Sequence, residues 1–411
     1  MCILFGANRK DSMIKKVEIF NFKSIEELPI ELGRVNIIIG ENGCGKTNLL
    51  EAIAFASLAS HGPIIQETVG RKFRYVAPEF MLPAFADLKE NNLSDRTISI
   101  KVYGSDGLPK NTTAIYDPKG KEWMTLEKLT DNLNLAQILK EIKETNSEAF
   151  EELTNSLKHK EQFMEALQSE NFLSMYMLAP ELFSALRSTM IDKPELNTFM
   201  IYNPEESKLR QFSDEAWTYP LGRNGEGLFQ YLKEIHDGEK RDVMERIVQK
   251  MSLLDWVDGT SIPDDLLSNE YRLKIGDKYL KESLHYFDQR STNEGFLFLL
   301  FYMTLFSSPD TPPFFAIDNI ESAFNPKLCT ELIRTIVQLA KDNQKQVIMT
   351  THSPYVLDGL DLSDDDQRLF VARRNKDGHT VIKRIPAVKG LKMRLSEVWM
   401  KGMIGGLPDN F

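Results

Sequence analysis

The stretch VNIIIGENGCGKTNLLEAI, residues 35–53, decides the fold of this chain. It begins with a short apolar run suited to a buried strand, and after Thr47 its apolar residues take helical spacing. Between strand and helix lie three glycines, Gly40, Gly43 and Gly45. A strand, a glycine-rich loop and a helix in that order are what a phosphate-binding loop of an α/β domain needs.

The loop itself, GENGCGKT from Gly40 to Thr47, matches the pattern G-x-x-x-x-G-K-[ST] without deviation. Its glycines let backbone N–H groups point at phosphate oxygens, and the positive end of the following helix favours a bound anion. Lys46 is expected to reach the β and γ phosphates, and Thr47 to give its hydroxyl to Mg2+. The predicted nucleotide-binding residues are Asn42, Gly43, Cys44, Gly45, Lys46, Thr47 and Asn48.

The composition is that of an ordinary globular protein. Apolar residues make up 42% of the 411 residues and charged residues 27%, which fits one elaborated α/β domain or two domains. The formal net charge of -10 argues against a protein that coats nucleic acid through bulk charge, although a local basic face could still bind it.

The cysteines and the apolar runs bear on the compartment. Cys2, Cys44 and Cys329 are far apart and show no CxxC spacing, so neither a disulfide framework nor a zinc site is indicated. The longest apolar run, residues 296–306, is too short to span a bilayer and predicts a buried helix. The first dozen residues lack the features of a signal peptide. We therefore predict a cytoplasmic protein with no membrane association.

The chain divides into four parts by composition and periodicity. We predict a lead-in over 1–13, the first part of an ATP-binding head with the phosphate-binding loop over 14–125, a helical insertion over 126–195 and the second part of the head over 196–411. The exposed positions of the insertion are rich in glutamate. This face is either a solvated helix surface or an arm on which a partner docks.

Three later segments name a family. STNEGFLFLL (291–300), FFAID (314–318) and QVIMTTHSP (346–354) follow the loop in that order. Together they resemble the ATP-binding-cassette ATPases, and more narrowly the branch of SMC, RecF and the overcoming-lysogenization-defect proteins, over roughly 14–80 and 285–360. The resemblance implies an α/β ATPase head with a mixed central sheet, an N-terminal antiparallel β lobe and a helical insertion, and it implies ATP and Mg2+ as ligands.

The same resemblance assigns roles to four residues. Ser291 and Gly295 would lie in the signature segment, which in such proteins reaches the γ phosphate bound by another subunit. The segment Ser-Thr-Asn-Glu-Gly is longer than the usual serine-x-glycine. The sequence therefore leaves open which of its residues contacts the γ phosphate. His352 would be the switch histidine that senses the γ phosphate, or simply a strand-end histidine. Gln66 would be the lid glutamine that contacts magnesium, or an ordinary surface glutamine.

The segment after strand FFAID departs from the family pattern. Asp318 would help to hold magnesium, but the next position, where the family has a catalytic glutamate, is Asn319. An amide orients water but cannot take a proton at neutral pH. Glu321 is the obvious substitute, yet two residues along an extended chain displace a carboxylate by about 6–7 Å unless the backbone turns. We therefore expect a slow ATPase that stays ATP-bound.

The resemblance also suggests partners. A signature that acts on a neighbour's nucleotide implies a homo-oligomer. The chain is similar to stand-alone ATPase subunits of two-component bacterial anti-phage systems such as PARIS and Septu, in which the ATPase is sensor and scaffold and a separately encoded nuclease is the effector. Two alternatives stay open, a DNA-repair ATPase of RecF type and a non-hydrolysing ATP-gated scaffold.

Two charged segments lie near the end of the chain. DLSDDDQ, residues 361–367, could be a metal-binding nuclease cluster, but we expect a helix-capping acidic loop, since only about 59 residues follow His352 and a nuclease domain needs more. A basic cluster after it is either a solvated hairpin or a site for DNA, RNA or an acidic partner. Its members are Arg373, Arg374, Lys376, Lys383, Arg384, Lys389, Lys392 and Arg394.

Overall fold

Strands and helices are described here from a computed structural model. It describes residues 13–59, 64, 66–74, 76–83, 97–105, 107, 109–117, 122–125, 154, 160–168, 194–211, 219–238, 240–263, 266, 270–281, 284, 286–387 and 393–407. The chain forms two units. The first comprises Met1–Glu31, Phe55–Thr68 and Tyr75–Asn197, and the second comprises Leu32–Ala54, Val69–Arg74 and Thr198–Phe411.

The strands, in chain order, are β1 (Lys16–Phe22), β2 (Ile25–Glu31), β3 (Val35–Gly40), β4 (Thr97–Tyr103), β5 (Pro109–Asp117), β6 (Glu122–Thr125), β7 (Ile201–Tyr202), β8 (Val257–Ser261), β9 (Lys274–Asp277), β10 (Phe287–Asp288), β11 (Phe314–Ile317), β12 (Gln346–Thr350), β13 (Gln367–Arg374) and β14 (Thr380–Ile385).

The helices are α1 (Lys46–Ala59), α2 (Gln66–Lys72), α3 (Lys160–Gln168), α4 (Pro194–Asn197), α5 (Glu206–Leu209), α6 (Leu228–Asp237), α7 (Arg241–Lys250), α8 (Glu294–Ser307), α9 (Pro326–Asp342), α10 (Pro354–Leu357) and α11 (Leu395–Met400). Short 3-10 turns occur at Pro78–Met81, Met251–Leu253 and Gln289–Ser291. Of the predicted helical insertion, the structure describes residue 154, α3 and the first residues of α4, and the rest lies outside the described residues.

The first unit contains an antiparallel five-stranded sheet in the order β2-β1-β4-β5-β6. Buried and more exposed residues alternate along its strands because one face of the sheet is buried. The buried residues pair across neighbouring strands: Val17 pairs with Val102 and Ile19 pairs with Ile100. This sheet confirms the predicted N-terminal antiparallel β lobe.

The second unit is built on a six-stranded sheet in the order β14-β13-β3-β12-β11-β7. Five strands run parallel, and β14 is an antiparallel edge strand paired with β13. All residues of β3, β11 and β12 are buried, as expected for a parallel sheet covered on both faces. The predicted mixed sheet is therefore confirmed, and the carboxyl ends of β3, β11 and β12 meet at one edge.

A small antiparallel sheet, in the order β10-β9-β8, also belongs to the second unit. The segment EYRLKIGDKYL, residues 270–280, predicts a hairpin, and that prediction is wrong. Only Lys274–Asp277 is extended, and its partners are β8 and β10 rather than a strand within the same segment. The segment thus supplies the middle strand of three that follow one another in the chain.

Helix α8 is apolar all round and runs through the core of the second unit. Every residue from Phe296 to Ser307 is buried, which confirms the buried helix predicted from the apolar run. Among the residues that the structure describes, no helix is both long and apolar enough to cross a membrane.

Candidate functional site

The loop from β3 to α1 has the backbone of a phosphate-binding loop. Gly40 has a φ of 149°, and a Cβ there would lie 2.3 Å from the carbonyl oxygen of Ala372. Gly43 has a φ of 75° in open space, so backbone conformation alone requires glycine there. The loop leads directly into α1 at Lys46, and a helix N-terminus behind such a loop is a site for an anion.

Lys46 folds back over this loop. Its Nζ donates hydrogen bonds to the carbonyl oxygens of Gly40 at 2.8 Å and Glu41 at 2.9 Å, and the residue is only 6% exposed. Burial lowers the pKa of Lys46, and the neighbouring carboxylates, among them Asp318 and Glu321, oppose that change. The ammonium therefore lies inside the loop, where phosphate oxygens can replace the two carbonyl groups.

The β13–β14 hairpin holds the loop from the other side. Thr380 Oγ1 donates to the carbonyl oxygen of Cys44 at 2.9 Å, and Arg374 Nε donates to the carbonyl oxygen of Gly43 at 3.1 Å. Cys44 is buried, and burial raises the pKa of its thiol, so it is a packing residue of the loop. Asn42 lies exposed in the same loop, and the N–H of Asn48 donates to the carbonyl oxygen of Gly45 at 3.1 Å.

Asp318 and Thr47 come together where a magnesium ion is expected. Asp318 follows β11 directly, and its Oδ2 accepts the Thr47 hydroxyl at 3.3 Å. Its other oxygen accepts a hydrogen bond from Thr350, at the end of the neighbouring strand β12. A hydroxyl and a carboxylate that leave room for phosphate oxygens and water suit Mg2+. Within the described ranges, no group of three or more His, Cys, Asp and Glu side chains could hold a metal on its own.

The backbone turns sharply directly after Asp318. Asn319 has a φ of 56°, in the left-handed region, and its N–H donates to Thr350 Oγ1 at 3.0 Å. The turn carries Glu321 back toward the site, where its Oε1 accepts the backbone N–H of His352 at 2.8 Å. Glu321 Oε2 is buried and has no hydrogen-bond partner among the residues that the structure describes. The turn that the sequence argument required for Glu321 is therefore present.

His352 lies next to the same carboxylates. Burial lowers the pKa of His352, the positive charge of Lys46 lowers it further, and Glu321 and Asp318 oppose both effects. The net effect favours the neutral imidazole. Because Lys46 and His352 influence each other electrostatically, an anion placed at the loop acts on both.

The predicted signature segment is well ordered but separate from the loop. Ser291 is exposed at the end of a 3-10 turn, and its hydroxyl is 3.4 Å from Asp288 Oδ1. Asn293 caps α8 by accepting the N–H of Phe296, and Gly295 lies in the first turn of that helix. In the described part of the chain, no hydrogen bond or ion pair joins Ser291 or Gly295 to the phosphate-binding loop.

Gln66 is the one predicted magnesium contact whose side chain cannot be placed. It is the first residue of α2, and its side chain is outside the described part of the structure. The N–H of Asp318 donates to the carbonyl oxygen of Tyr202 at 2.9 Å, so the chain that continues to Asn203 lies at the same edge of the sheet as Asp318.

Arg223 is a charged residue of this edge that the sequence reasoning missed. Its backbone oxygen accepts the N–H of Asn203 at 3.0 Å, and its Nε is buried with no partner in the described ranges. Burial lowers the pKa of Arg223, whereas the carboxylates of Glu51 and Asp318 raise it. In the sequence, this residue is visible only as a single arginine in the glycine-rich segment GRNGEG. No spacing pattern connects it with Asp318.

The acidic segment 361–367 forms a turn that leads into strand β13, so the prediction that it caps a helix is wrong. Asp361 accepts from the N–H and hydroxyl of Ser363, and Asp365 pairs with Arg368 and Arg384. These short carboxylate side chains satisfy the turn's own N–H groups.

Two domain families match the chain in sequence. Residues 13–175 match the family described as "AAA ATPase domain", and residues 192–358 match the family described as "AAA domain, putative AbiEii toxin, Type IV TA system". The uncharacterized protein MJECL10 of Methanocaldococcus jannaschii is 31% identical over 99 residues, which is 24% of this chain and 45% of that protein.

A second relative is the DNA replication and repair protein RecF of Pediococcus pentosaceus, 46% identical over 46 residues, or 11% of this chain and 12% of RecF. The chain spans less than half the length of each of these two curated relatives. The chain is therefore similar in sequence to AAA ATPase domains over two separate segments and to RecF over a short stretch.

The fold is that of an ABC-type P-loop ATPase head. The structure is similar to an SMC head solved in complex with the C-terminal winged-helix domain of ScpA, with a TM-score of 0.51 at 15% identity, covering 92% of this chain and 99% of the SMC head. At that identity the likeness speaks for the fold alone.

Proposed function

We propose that the protein binds ATP with Mg2+ between two copies of itself and hydrolyses it slowly, with Glu321 as the base. Lys46 and the loop would bind the phosphates, and Thr47 and Asp318 would hold Mg2+, which neutralises phosphate charge when bound. Ser291 of the second copy would complete the site, with Gly295 beside it.

The observation that carries this proposal is the position of Glu321. Its Oε1 is fixed by the N–H of His352, and its Oε2 is buried without a described partner. A buried carboxylate oxygen with no donor is available to accept a proton from water. Asn319 cannot take that proton, since its side chain is an amide. Slow turnover is expected, because the position directly after Asp318, where the family has its catalytic glutamate, holds an amide.

The test is phosphate release by the purified protein with ATP and Mg2+, with oligomeric mass measured on the same samples. Lys46→Ala is expected to abolish both ATP binding and turnover. Glu321→Gln is expected to reduce turnover roughly 100-fold and to leave ATP-dependent assembly intact, because general-base catalysis supplies a factor of about this size.

Asn319→Glu separates the two candidate bases. If Glu321 is the base, Asn319→Glu gives no acceleration, since a glutamate there must adopt the left-handed backbone. An Asn319→Glu protein faster than wild type, with Glu321→Gln unaffected, would assign the base position to residue 319. A wild type that assembles with ATP but shows no turnover above Lys46→Ala would favour the non-hydrolysing scaffold.

We further propose that the ATP-bound assembly is the sensor and scaffold of a two-component bacterial anti-phage system and controls a separately encoded effector nuclease. The support is the motif set that resembles such ATPase subunits, together with the family description that names a toxin–antitoxin system. Co-expression with the product of the adjacent gene, followed by affinity capture with and without Lys46→Ala, tests the partner. If the Lys46→Ala protein captures the partner as well as the wild type does, ATP does not control this interaction.

DNA binding is a second candidate function, favoured by the RecF match and by the exposed basic residues of the β13–β14 hairpin. Arg374 and Arg384 are engaged within the protein, whereas Arg373, Lys376 and Lys383 are exposed. If the hairpin binds DNA, replacing these three with glutamine should weaken duplex binding and reduce its salt dependence. Unchanged binding would exclude this face.

A further inference from the structure

The segment that carries Ser291 is hydrogen-bonded to the side chain of Arg210, a residue remote in sequence. Arg210 Nη1 donates to the carbonyl oxygen of Arg290 at 3.3 Å, and Nη2 donates to the carbonyl oxygen of Thr292 at 3.0 Å. The planar guanidinium therefore binds the carbonyl groups of the residues on both sides of Ser291. A lysine has a single ammonium and cannot present two donors in this fixed geometry.

The guanidinium is itself fixed by the carboxylate of Glu206. Glu206 Oε1 accepts the Nε of Arg210 at 2.8 Å and lies 2.7 Å from its Nη2, so the side chain is held at three nitrogens. Glu206 begins helix α5, and Leu209 at the end of that helix is fully buried. Leu209 fits against Gly225, where a Cβ would lie 2.4 Å from Leu209 Cδ2. Helix α5 is thus a rigid base for Arg210.

Helix α5 follows β7, the strand next to Asp318. The N–H of Asp318 donates to Tyr202 O, and the N–H of Glu205 donates to Asn224 O at 2.9 Å. One short run of chain, from Tyr202 to Arg210, therefore connects the edge that holds Asp318 with the segment that presents Ser291.

The other supports of this segment are also polar and specific. Gln289 is buried, its Oε1 accepts the N–H of Leu273 at 2.8 Å and its Nε2 donates to the carbonyl oxygen of Tyr271 at 2.8 Å. Asp288 accepts the N–H of Arg290. Gln289 is the buried residue of the turn, whereas Arg290 and Ser291 are exposed. The backbone around Ser291 is therefore fixed by Arg210 on one side and by Gln289 on the other.

We propose that Arg210 is the positioning residue of the signature half of the site: it fixes Ser291 for the nucleotide held by a second copy and takes no part in ATP binding by its own copy. This inference rests on the proposed function, because Ser291 matters in this way only if ATP lies between two copies. Loss of the two carbonyl contacts should weaken ATP-dependent assembly roughly ten- to hundred-fold and leave the Kd of the single chain for ATP unchanged.

Mixing experiments with chain variants test this placement. Each site would combine the loop of one copy with the Ser291 segment of the other, so a loop variant and a signature variant restore one intact site in a mixed pair. In an equal mixture about a quarter of all sites are then intact. The readout is ATP-dependent oligomeric mass, with Arg210→Gln, Lys46→Ala and Ser291→Ala each inactive alone.

Arg210→Gln mixed with Lys46→Ala should recover assembly, whereas Arg210→Gln mixed with Ser291→Ala should not, because both changes damage the same half. An Arg210→Gln chain that failed to fold could not supply its loop, so recovery also excludes a merely structural role. Arg210→Lys, which keeps the charge, should assemble more weakly than wild type and give the same pattern in mixtures.

Three results would overturn the inference: recovery with Ser291→Ala, a raised Kd for ATP in the single Arg210→Gln chain, or wild-type assembly by Arg210→Gln alone. Failure of the proposed function would look different. In that case Lys46→Ala and Ser291→Ala would not restore each other, whatever Arg210 does.

Discussion

His352 is a residue whose charge depends on what the loop holds. Its pKa is lowered by burial and by Lys46, so the neutral imidazole is favoured when no anion is near. In the proposed site, a γ phosphate beside His352 would favour the protonated imidazole and raise the pKa of His352. Binding of ATP would then take up a proton at this residue.

The consequence is a pH dependence of affinity with a definite sign. ATP affinity should fall as pH rises through the range in which His352 in the complex loses its proton, because linkage favours binding at the pH where the proton is available. His352→Gln should flatten this part of the profile. The measurement is the Kd for a non-hydrolysable ATP analogue from pH 6 to 8.5 (roughly the titration range of histidine), and equal slopes in both proteins would count against the role of His352.

At the scale of elements, the β13–β14 hairpin supports the loop that follows β3. The register of β13 against β3 places Ala372 opposite Gly40, and Arg374 and Thr380 then reach the carbonyl groups of Gly43 and Cys44. The hairpin thereby holds the loop backbone in place.

Thr380→Val tests this support. The change keeps the shape of the side chain and removes the hydrogen bond to the buried carbonyl group of Cys44, which costs about 1–3 kcal/mol. We expect the Kd for ATP to rise roughly ten-fold. Thr380→Ser keeps the hydroxyl and should stay close to wild type. If isothermal titration gives equal affinities for Thr380→Val and Thr380→Ser, the hairpin does not organise the loop.

At the scale of the whole molecule, stability depends on a buried cation at the amino end of β12. Lys345 is 2% exposed and donates to the carbonyl oxygen and hydroxyl of Thr311 at 2.7 and 2.8 Å. Burial lowers the pKa of Lys345 to about 7, with Asp310 opposing the change. The folded chain therefore binds fewer protons than the unfolded chain between about pH 7 and the ordinary lysine pKa of about 10.4.

It follows that this lysine makes the free energy of unfolding rise with pH in that window, by at most about 1.4 kcal/mol per pH unit. Lys345→Met should remove this slope, and the exposed Lys341→Met should keep it. Urea denaturation between pH 7 and 9.5 (roughly the lower part of that window) measures the difference. A Lys345→Met protein with the wild-type slope would show that the ammonium is not the source.

The sequence by itself determined the parts whose physical signal is local. The glycines, lysine and threonine of residues 40–47 form a motif that is recognisable from neighbouring residues. The apolar runs of β3, β11, β12 and α8 are continuous because those elements are buried on every side. The mixed sheet and the β lobe were expected from the family resemblance that the motifs carry, whereas the apolar runs FFAID and QVIMTT predicted that Asp318 and His352 lie at strand ends.

Only the tertiary structure decided which distant residues meet. The left-handed Asn319 turns Glu321 back to the N–H of His352, and Arg210 reaches both neighbours of Ser291 across about 80 residues of chain. Neither contact leaves a periodic pattern, because each depends on strand order and side-chain geometry rather than on spacing along the chain. The proposed base and the proposed support of the signature segment therefore depend on the fold, whereas the phosphate-binding loop is recognisable from the sequence.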